Sequence, residues 1–159
     1  MKQTKKSAPA FTFKKKAHVL VIEARFYDKI NDMMLEGVER ELAKHGATGE
    51  ILTVPGALEI PAALQFAAQR KGGKKFDAYI VLGCVIRGAT THYETVCFES
   101  ARGVTDVALK LNLAVGNGIL TVENEKQALE RADHKRLDKA GGAALAALTM
   151  LKLKQDCGI

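Results

Sequence analysis

A mostly parallel four-stranded sheet covered by helices on both faces, a three-layer α/β sandwich of flavodoxin-like architecture, is the fold that this 159-residue sequence predicts. Three observations carry the expectation. Short apolar runs of strand length recur along the chain, segments of helical spacing separate them, and glycine or proline stands at several joins. A strand that feeds a helix and then a parallel strand crosses over right-handedly, which lays helices above and below the sheet.

Residues 1–16 carry Lys2, Lys5, Lys6, Lys14, Lys15 and Lys16 without a single acid, and are expected to form a basic flexible tail before one domain over 17–159. His18–Ala24 (HVLVIEA) is a β-branched apolar run that predicts the first strand. Ile30, Met33, Met34, Val38 and Leu42 follow helical spacing, and Gly46 stands where a left-handed cap would end that helix. Ile51–Val54 is the second strand. Pro61 belongs near the start of the next helix, whose apolar residues are Ala63, Leu64, Ala67 and Ala68, with Gly72-Gly73 at its end. Ala78–Ile86 is the third strand. Tyr93, Val96, Cys97, Ala101, Val104, Ala108 and Leu111 then form the inward stripe of a longer helix. After a fourth strand, Ala114–Thr121, Asn124 and Gln127 make a capping box for a short helix through Ala132. The last helix starts near Asp138, buries Ala144, Leu145, Leu148 and Leu151, and places Lys152 and Lys154 at its negative end.

Composition narrows the function classes. With 47% hydrophobic and 26% charged residues the chain is globular, neither fibrous nor disordered. The net charge of +6 comes from the tail: its six lysines out of 24 cations leave 18 against 18 anions, so no nucleic-acid partner is expected. No apolar run approaches the ~18 residues of a membrane span and no secretory leader is visible, so no membrane partner and a cytoplasmic location are expected. Cys84, Cys97 and Cys157 form no CxxC pair, which fits reduced thiols and no bound metal.

Ligands of such sheets settle at the carboxyl ends of the strands, here the loops after Ala24, Val54, Ile86 and Thr121. Arg87-Gly88-Ala89-Thr90-Thr91-His92 joins a strand to a helix start, where free amide hydrogens, a glycine and two hydroxyls make a seat for an anion, a phosphate first of all. A helix-end field contributes only ~0.3–1 kcal/mol at an exposed site, so the phosphate needs a cationic side chain as well. Gly83 to Thr90 mimics a P-loop, but Ala89 stands where the lysine must be; Gly116-Asn117-Gly118 is only half a dinucleotide fingerprint. His92, beside the seat, is the candidate proton carrier. His18, His45 and His134 are read as edge, cap and surface residues. Glu59 either favours the helix dipole or accepts a hydroxyl, and Phe26 and Tyr27 either stack on a flat ligand or pack under a helix. Among Arg131, Lys135, Arg136 and Lys139, one or two are candidates to reach a phosphate.

Taken together, Val54–Pro61 (VPGALEIP), Leu82–Glu94 (LGCVIRGATTHYE) and Gly118–Ala132 (GILTVENEKQALERA) resemble lumazine synthase in order and spacing, and the similarity runs from about His18 to Leu153. The resemblance implies a transferase of riboflavin biosynthesis. It would condense 5-amino-6-(D-ribitylamino)uracil with 3,4-dihydroxy-2-butanone 4-phosphate to 6,7-dimethyl-8-ribityllumazine, phosphate and water, with no metal or organic cofactor. It also implies the site. Gly88, Ala89, Thr90 and Arg131 would hold the phosphate and His92 would shuttle protons. Phe26 would stack on the heterocycle, Ala57, Leu58 and Glu59 would line the ring and ribityl hydroxyls, and Val85 and Ile86 would run along the ring. Lys139 is a further basic position.

Three positions depart from the family pattern: Tyr27 for a common asparagine, Leu58 for a common phenylalanine, and Asn117 for the bulky residue that the adjacent subunit often packs on the ligand. All three concern ring contacts and leave the phosphate seat and histidine intact. The resemblance further implies a homopentamer with sites between subunits, in some members multiplied into an icosahedral shell, and an N-terminal AFTF segment that adds as a strand to a neighbour's sheet. Two other readings are a non-catalytic module that binds a flavin or lumazine, and a shell-forming paralogue.

Overall fold

A computed structural model describes residues 11–159. In chain order they form β1 (His18–Ala24), α1 (Asp28–Lys44), β2 (Thr48–Val54), a 3-10 turn (Ala57–Glu59), α2 (Ile60–Ala68), β3 (Ala78–Ile86), α3 (His92–Lys110), β4 (Val115–Val122), α4 (Glu125–Ala132) and α5 (Lys139–Asp156). The strands pair in parallel in the order β2-β1-β3-β4, the predicted three-layer α/β sandwich.

Strand alternation divides the core between the two faces of the sheet. Val19, Val21, Ile80 and Leu82 meet Met34 and Val38 of α1, Ala128 of α4 and Leu148 of α5. Leu20, Ile22, Tyr79 and Val81 meet Ile60 and Leu64 of α2 and Val104 and Val107 of α3. Each such aliphatic side chain contributes ~1.5–3 kcal/mol when fully buried. β1 and β3 lie at the centre, whereas β2 is an edge whose Ile51 and Leu52 remain exposed.

Several elements differ in detail from expectation. α2 stops at Ala68, and Gly72 and Gly73 lie beyond it in a left-handed turn with φ of 82° and 70°. On α3 the buried residues are Ser100, Val104 and Val107, while Ala101 faces out beside the exposed Phe98 and Leu109. That helix carries apolar side chains on two faces, so spacing alone does not choose the inward one. On α5 Leu145 is only half-buried, and the stripe is made largely of small residues, Ala140, Gly141, Ala143, Ala144 and Ala147. These let α5 lie so close to β4 that a Cβ on Gly116 would stand 1.9 Å from the Ala143 carbonyl oxygen. Lys154 does not cap its own helix but donates to the Asn112 carbonyl at 2.6 Å, and Lys152 pairs with Asp156. The capping box is shifted by one residue: Asn124 Oδ1 accepts from Gln127 N at 3.0 Å, while Gln127 Oε1 accepts from Glu123 N at 2.9 Å.

The basic-tail expectation falls partly outside the described residues. Within them, Lys14, Lys15 and Lys16 are exposed, but Phe11 and Phe13 are half-buried against the protein's own core, with the Phe11 ring 4.8 Å from His45. His45 caps α1 as read and His134 lies 3.5 Å from Glu36, but His18 is buried inside β1, with Nε2 2.8 Å from Glu50 on β2. No helix among the described residues is long and apolar enough to cross a membrane.

Candidate active site

The chain's apolar runs end together at one rim of the sheet because all strands point the same way. A cleft of about 450 Å³ opens there. It is lined by Ala24, Phe26 and Tyr27 after β1, by residues 55–59 after β2, by Cys84, Val85 and Ile86 at the end of β3, and by Gly88, Thr90, His92, Tyr93 and Val96 at the start of α3. Three of the four predicted loops therefore contribute. The loop after β4 does not line the cleft.

The turn before α3 keeps its expected chemistry with a change of detail. Thr90 Oγ1 accepts the His92 backbone N–H at 3.3 Å, so this hydroxyl holds the turn in shape. A Cβ added at Gly88 would meet nothing within 4 Å, so the protein's own packing does not demand a glycine there. The space that it leaves belongs to the cleft. Ala89 and Thr91 complete the turn without lining the cavity. His92 is exposed in the first turn of α3 and lines the cleft.

On the opposite wall Phe26 is 71% exposed, which removes the packing-under-a-helix reading; its neighbour Tyr27 meets it edge-on with ring centres 5.0 Å apart. The 3-10 turn carries Ala57, Leu58 and Glu59 into the lining, Ala57 buried and the other two exposed. Glu59 precedes α2 but makes no side-chain cap bond, which leaves its carboxylate free to accept hydrogen bonds from a ligand. Burial pushes the Cys84 thiol up to about 11, so it is neutral at pH 7 and no nucleophile.

Electrostatics supply the missing element. Among the described residues no lysine or arginine lines the cleft. Arg87, next to Gly88, is turned away into a network: its Nε donates to Glu123 at 2.6 Å, its Nη1 to Glu94, and its guanidinium lies over the Tyr93 ring. These hydrogen bonds, to Glu94 first and Glu123 second, raise the Arg87 pKa, and Arg87 in turn holds the Glu94 carboxyl below its ordinary value. The candidate cations lie elsewhere. Arg131 is on α4, with Nη1 donating to its own helix at the Gln127 carbonyl, 3.2 Å away; Arg136 lies 3.5 Å from Glu130; Lys139 opens α5. None of these residues lines this chain's cleft.

Asn117 is also distant from it. It pairs with Val81, five residues back along β4 from the Ile86–Val122 pair at the rim, a separation of roughly 16 Å. Its Oδ1 accepts from Ile119 N at 2.9 Å. One chain thus brings together Phe26, Ala57, Leu58, Glu59, Val85, Ile86, Gly88, Thr90 and His92, and leaves Arg131, Asn117 and Lys139 outside. The site residues read from the sequence did not include Ala24, Pro55, Gly56, Cys84, Tyr93 and Val96, which also line the cleft. Val96 was findable, since it follows His92 by four residues and shares its helix face.

Arranged this way, the cleft can seat a flat ring against Phe26, present acceptors to hydroxyls at Glu59, hold an anion at the α3 turn and move a proton through His92. Comparisons with known proteins point to one family. A family model described as 6,7-dimethyl-8-ribityllumazine synthase matches residues 16–155. The 6,7-dimethyl-8-ribityllumazine synthase of Sphingopyxis alaskensis is 58% identical over 143 residues, covering 90% of this chain and 99% of that protein. The 6,7-dimethyl-8-ribityllumazine synthase 1 of Rhizobium meliloti is 53% identical over 146 residues, covering 91% and 95%. That of Erythrobacter litoralis is 51% identical over 142 residues, covering 89% and 99%.

Proposed function

The chain belongs to the 6,7-dimethyl-8-ribityllumazine synthase family, and we propose from that premise that the cleft at the head of α3 is one half of its active site, completed by a second copy of the chain. The enzyme condenses 5-amino-6-(D-ribitylamino)uracil with 3,4-dihydroxy-2-butanone 4-phosphate, giving 6,7-dimethyl-8-ribityllumazine, phosphate and water. The relatives' names give no support to a non-catalytic binding module or a shell-forming paralogue.

In this reading the pyrimidine ring stacks on Phe26 and runs along Val85 and Ile86, while its ribityl hydroxyls reach Glu59 and the Ala57–Leu58 backbone. The phosphate of the second substrate sits at Gly88, Ala89 and Thr90. The pyrimidine's 5-amino group attacks the ketone, and the adduct loses water to form a Schiff base. Phosphate then leaves by elimination, and the ribityl-bearing nitrogen closes the second ring with loss of water. Each stage moves a proton, and His92 lines the cleft to take and return it. Such acid–base work contributes ~10²–10⁴-fold, and fixing two substrates side by side contributes more.

One observation carries the two-copy form of the site: among the described residues no lysine or arginine lines the cleft, although one substrate bears a phosphate. Arg131 of a neighbouring chain supplies that charge, and Lys139 and Asn117 lie on the same donated surface. Phe26, Ile51, Phe66, Phe98 and Leu109 all leave large apolar side chains exposed, which supports a homo-oligomer, a pentamer or a multiple of it. A cytoplasmic location belongs to the same reading, supported by Cys84, Cys97 and Cys157 all being free thiols.

Mixing the purified protein with both substrates tests the reaction by release of phosphate together with appearance of the lumazine chromophore. Reassembling inactive His92→Ala with inactive Arg131→Ala chains tests the shared site. Random mixing of two donors should restore about a quarter of the sites, and no recovery would place Arg131 and His92 in the same chain's site.

A further inference from the structure

At the carboxyl end of β1 lies a carboxylate that the reaction does not use. Glu23 is 2% exposed and is held by three side chains: Arg25 reaches both of its oxygens at 2.9 and 3.2 Å, Thr53 donates at 2.9 Å and Asn31 at 3.2 Å. Arg25 extends the grip to the first turns of α1. Its Nη1 and Nη2 each lie 2.9 Å from Asp32 Oδ1, and Nη1 lies 3.3 Å from Asp28.

This grip matters because of what comes next in the chain. Phe26 has Tyr27 as its only aromatic neighbour among the described residues and is otherwise open to solvent, so packing does not fix its ring. Its position follows the backbone of residues 24–27, and each anchor of that backbone belongs to the network or adjoins it. Arg25 N donates to the Val54 carbonyl at 3.2 Å, Phe26 N to the Ala24 carbonyl at 3.1 Å, and Asn31 Nδ2 to the same Ala24 carbonyl at 3.2 Å. A guanidinium spanning carboxylates on a strand and a helix is a rigid, bidentate brace that a flexible ammonium does not reproduce.

We propose that Arg25, anchored on buried Glu23 and on Asp32, is a positioning residue that sets the stacking ring of Phe26 for the pyrimidine substrate. The proposal rests on the reading of Phe26 given above. Arg25 touches no substrate and acts through its neighbour, so its loss appears in pyrimidine affinity and not at the phosphate seat on the far wall.

The experiment is a double-mutant cycle on the full-length enzyme with Phe26→Ala, Arg25→Met and the pair, reading KM for each substrate, kcat and thermal unfolding. Both single variants should raise KM for the pyrimidine about tenfold, the scale of a lost base–aromatic stack, with less than about a twofold change in KM for the butanone phosphate. Adding Arg25→Met to Phe26→Ala should raise the pyrimidine KM no further. Asp32→Asn, at an exposed position, keeps the Glu23 half of the brace; a smaller rise of the same selectivity is expected there, which holds the test open should Arg25→Met fail to fold. Additive effects of Arg25→Met and Phe26→Ala, or equal losses for both substrates, overturn the proposal while leaving the stacking role of Phe26 intact. A Phe26→Ala variant with unchanged pyrimidine KM overturns both.

Discussion

The Arg87 guanidinium lies 4.1 Å from the centre of the Tyr93 ring, in the first turn of α3. Together with its bonds to Glu94 and Glu123, that contact fixes the cation closest in sequence to the Gly88–Thr90 turn and points its charge at protein carboxylates. The turn is thereby braced, and its anion is left to be neutralised by another residue.

Arg131→Ala should therefore raise KM for the butanone phosphate by about 10- to 100-fold, the loss of one charge-assisted hydrogen bond, and KM for the pyrimidine far less. Steady-state kinetics with each substrate varied in turn decides it. Equal effects on both would remove Arg131 from the phosphate.

His92→Ala should lower kcat by about 10²–10⁴-fold while product binding, followed by equilibrium titration with the fluorescent lumazine, stays close to wild type. Weakened binding with unchanged turnover would make the imidazole a wall of the pocket and not a proton carrier.

Two glycine-to-alanine changes should behave in opposite ways. Gly88→Ala places a methyl in open space, so the thermal midpoint should hold while KM for the phosphorylated substrate rises about tenfold. Gly116→Ala drives a methyl onto the Ala143 carbonyl, and α5 must shift, at a cost of about 3 kcal/mol or more in denaturant unfolding. A stable Gly116→Ala protein would mean that α5 and β4 do not approach this closely.

Glu23 links stability to pH. Burial alone would raise its carboxyl, but hydrogen bonds from Arg25, Thr53 and Asn31 outweigh it and bring the group below its ordinary value of 4.5. Arg25, Asp28 and Asp32 are the charged groups that share its network. A carboxyl lowered by folding stabilises fully above its unfolded value and progressively less as pH falls through the folded one. Wild type should exceed Glu23→Gln by ~1.5–3 kcal/mol at pH 7, a gap that narrows below about pH 4.5. A gap that stays constant down to pH 3 would show that the ionised form is not what the network holds.

Much of this was legible in the residues themselves. The runs at His18–Ala24 and Ala78–Ile86 gave strands with those same bounds, because buried parallel strands are continuous β-branched segments with little else to be. The turn around Gly88 and His92 was findable because a strand end, a glycine and a helix start adjoin in sequence. The α3 stripe was not, because Phe98, Ala101 and Leu109 give that helix a second apolar face, and one sequence does not say which face meets its own sheet. The Glu23–Arg25 brace escaped notice for another reason: a lone acid inside an apolar run shows no partners until Thr53 and Asn31 arrive from other elements.

By itself the sequence determined the alternation of strands and helices, the chemistry of the turn before α3 and, through three spaced motifs, the family, all of which depend on residues that are neighbours along the chain. Tertiary structure alone decided the strand order β2-β1-β3-β4, the meeting of Phe26, Glu59 and His92 around one cleft, and the absence of Arg131 from that cleft. Those are relations between residues far apart in sequence. Packing of the two core layers fixes them, and no local periodicity encodes the result.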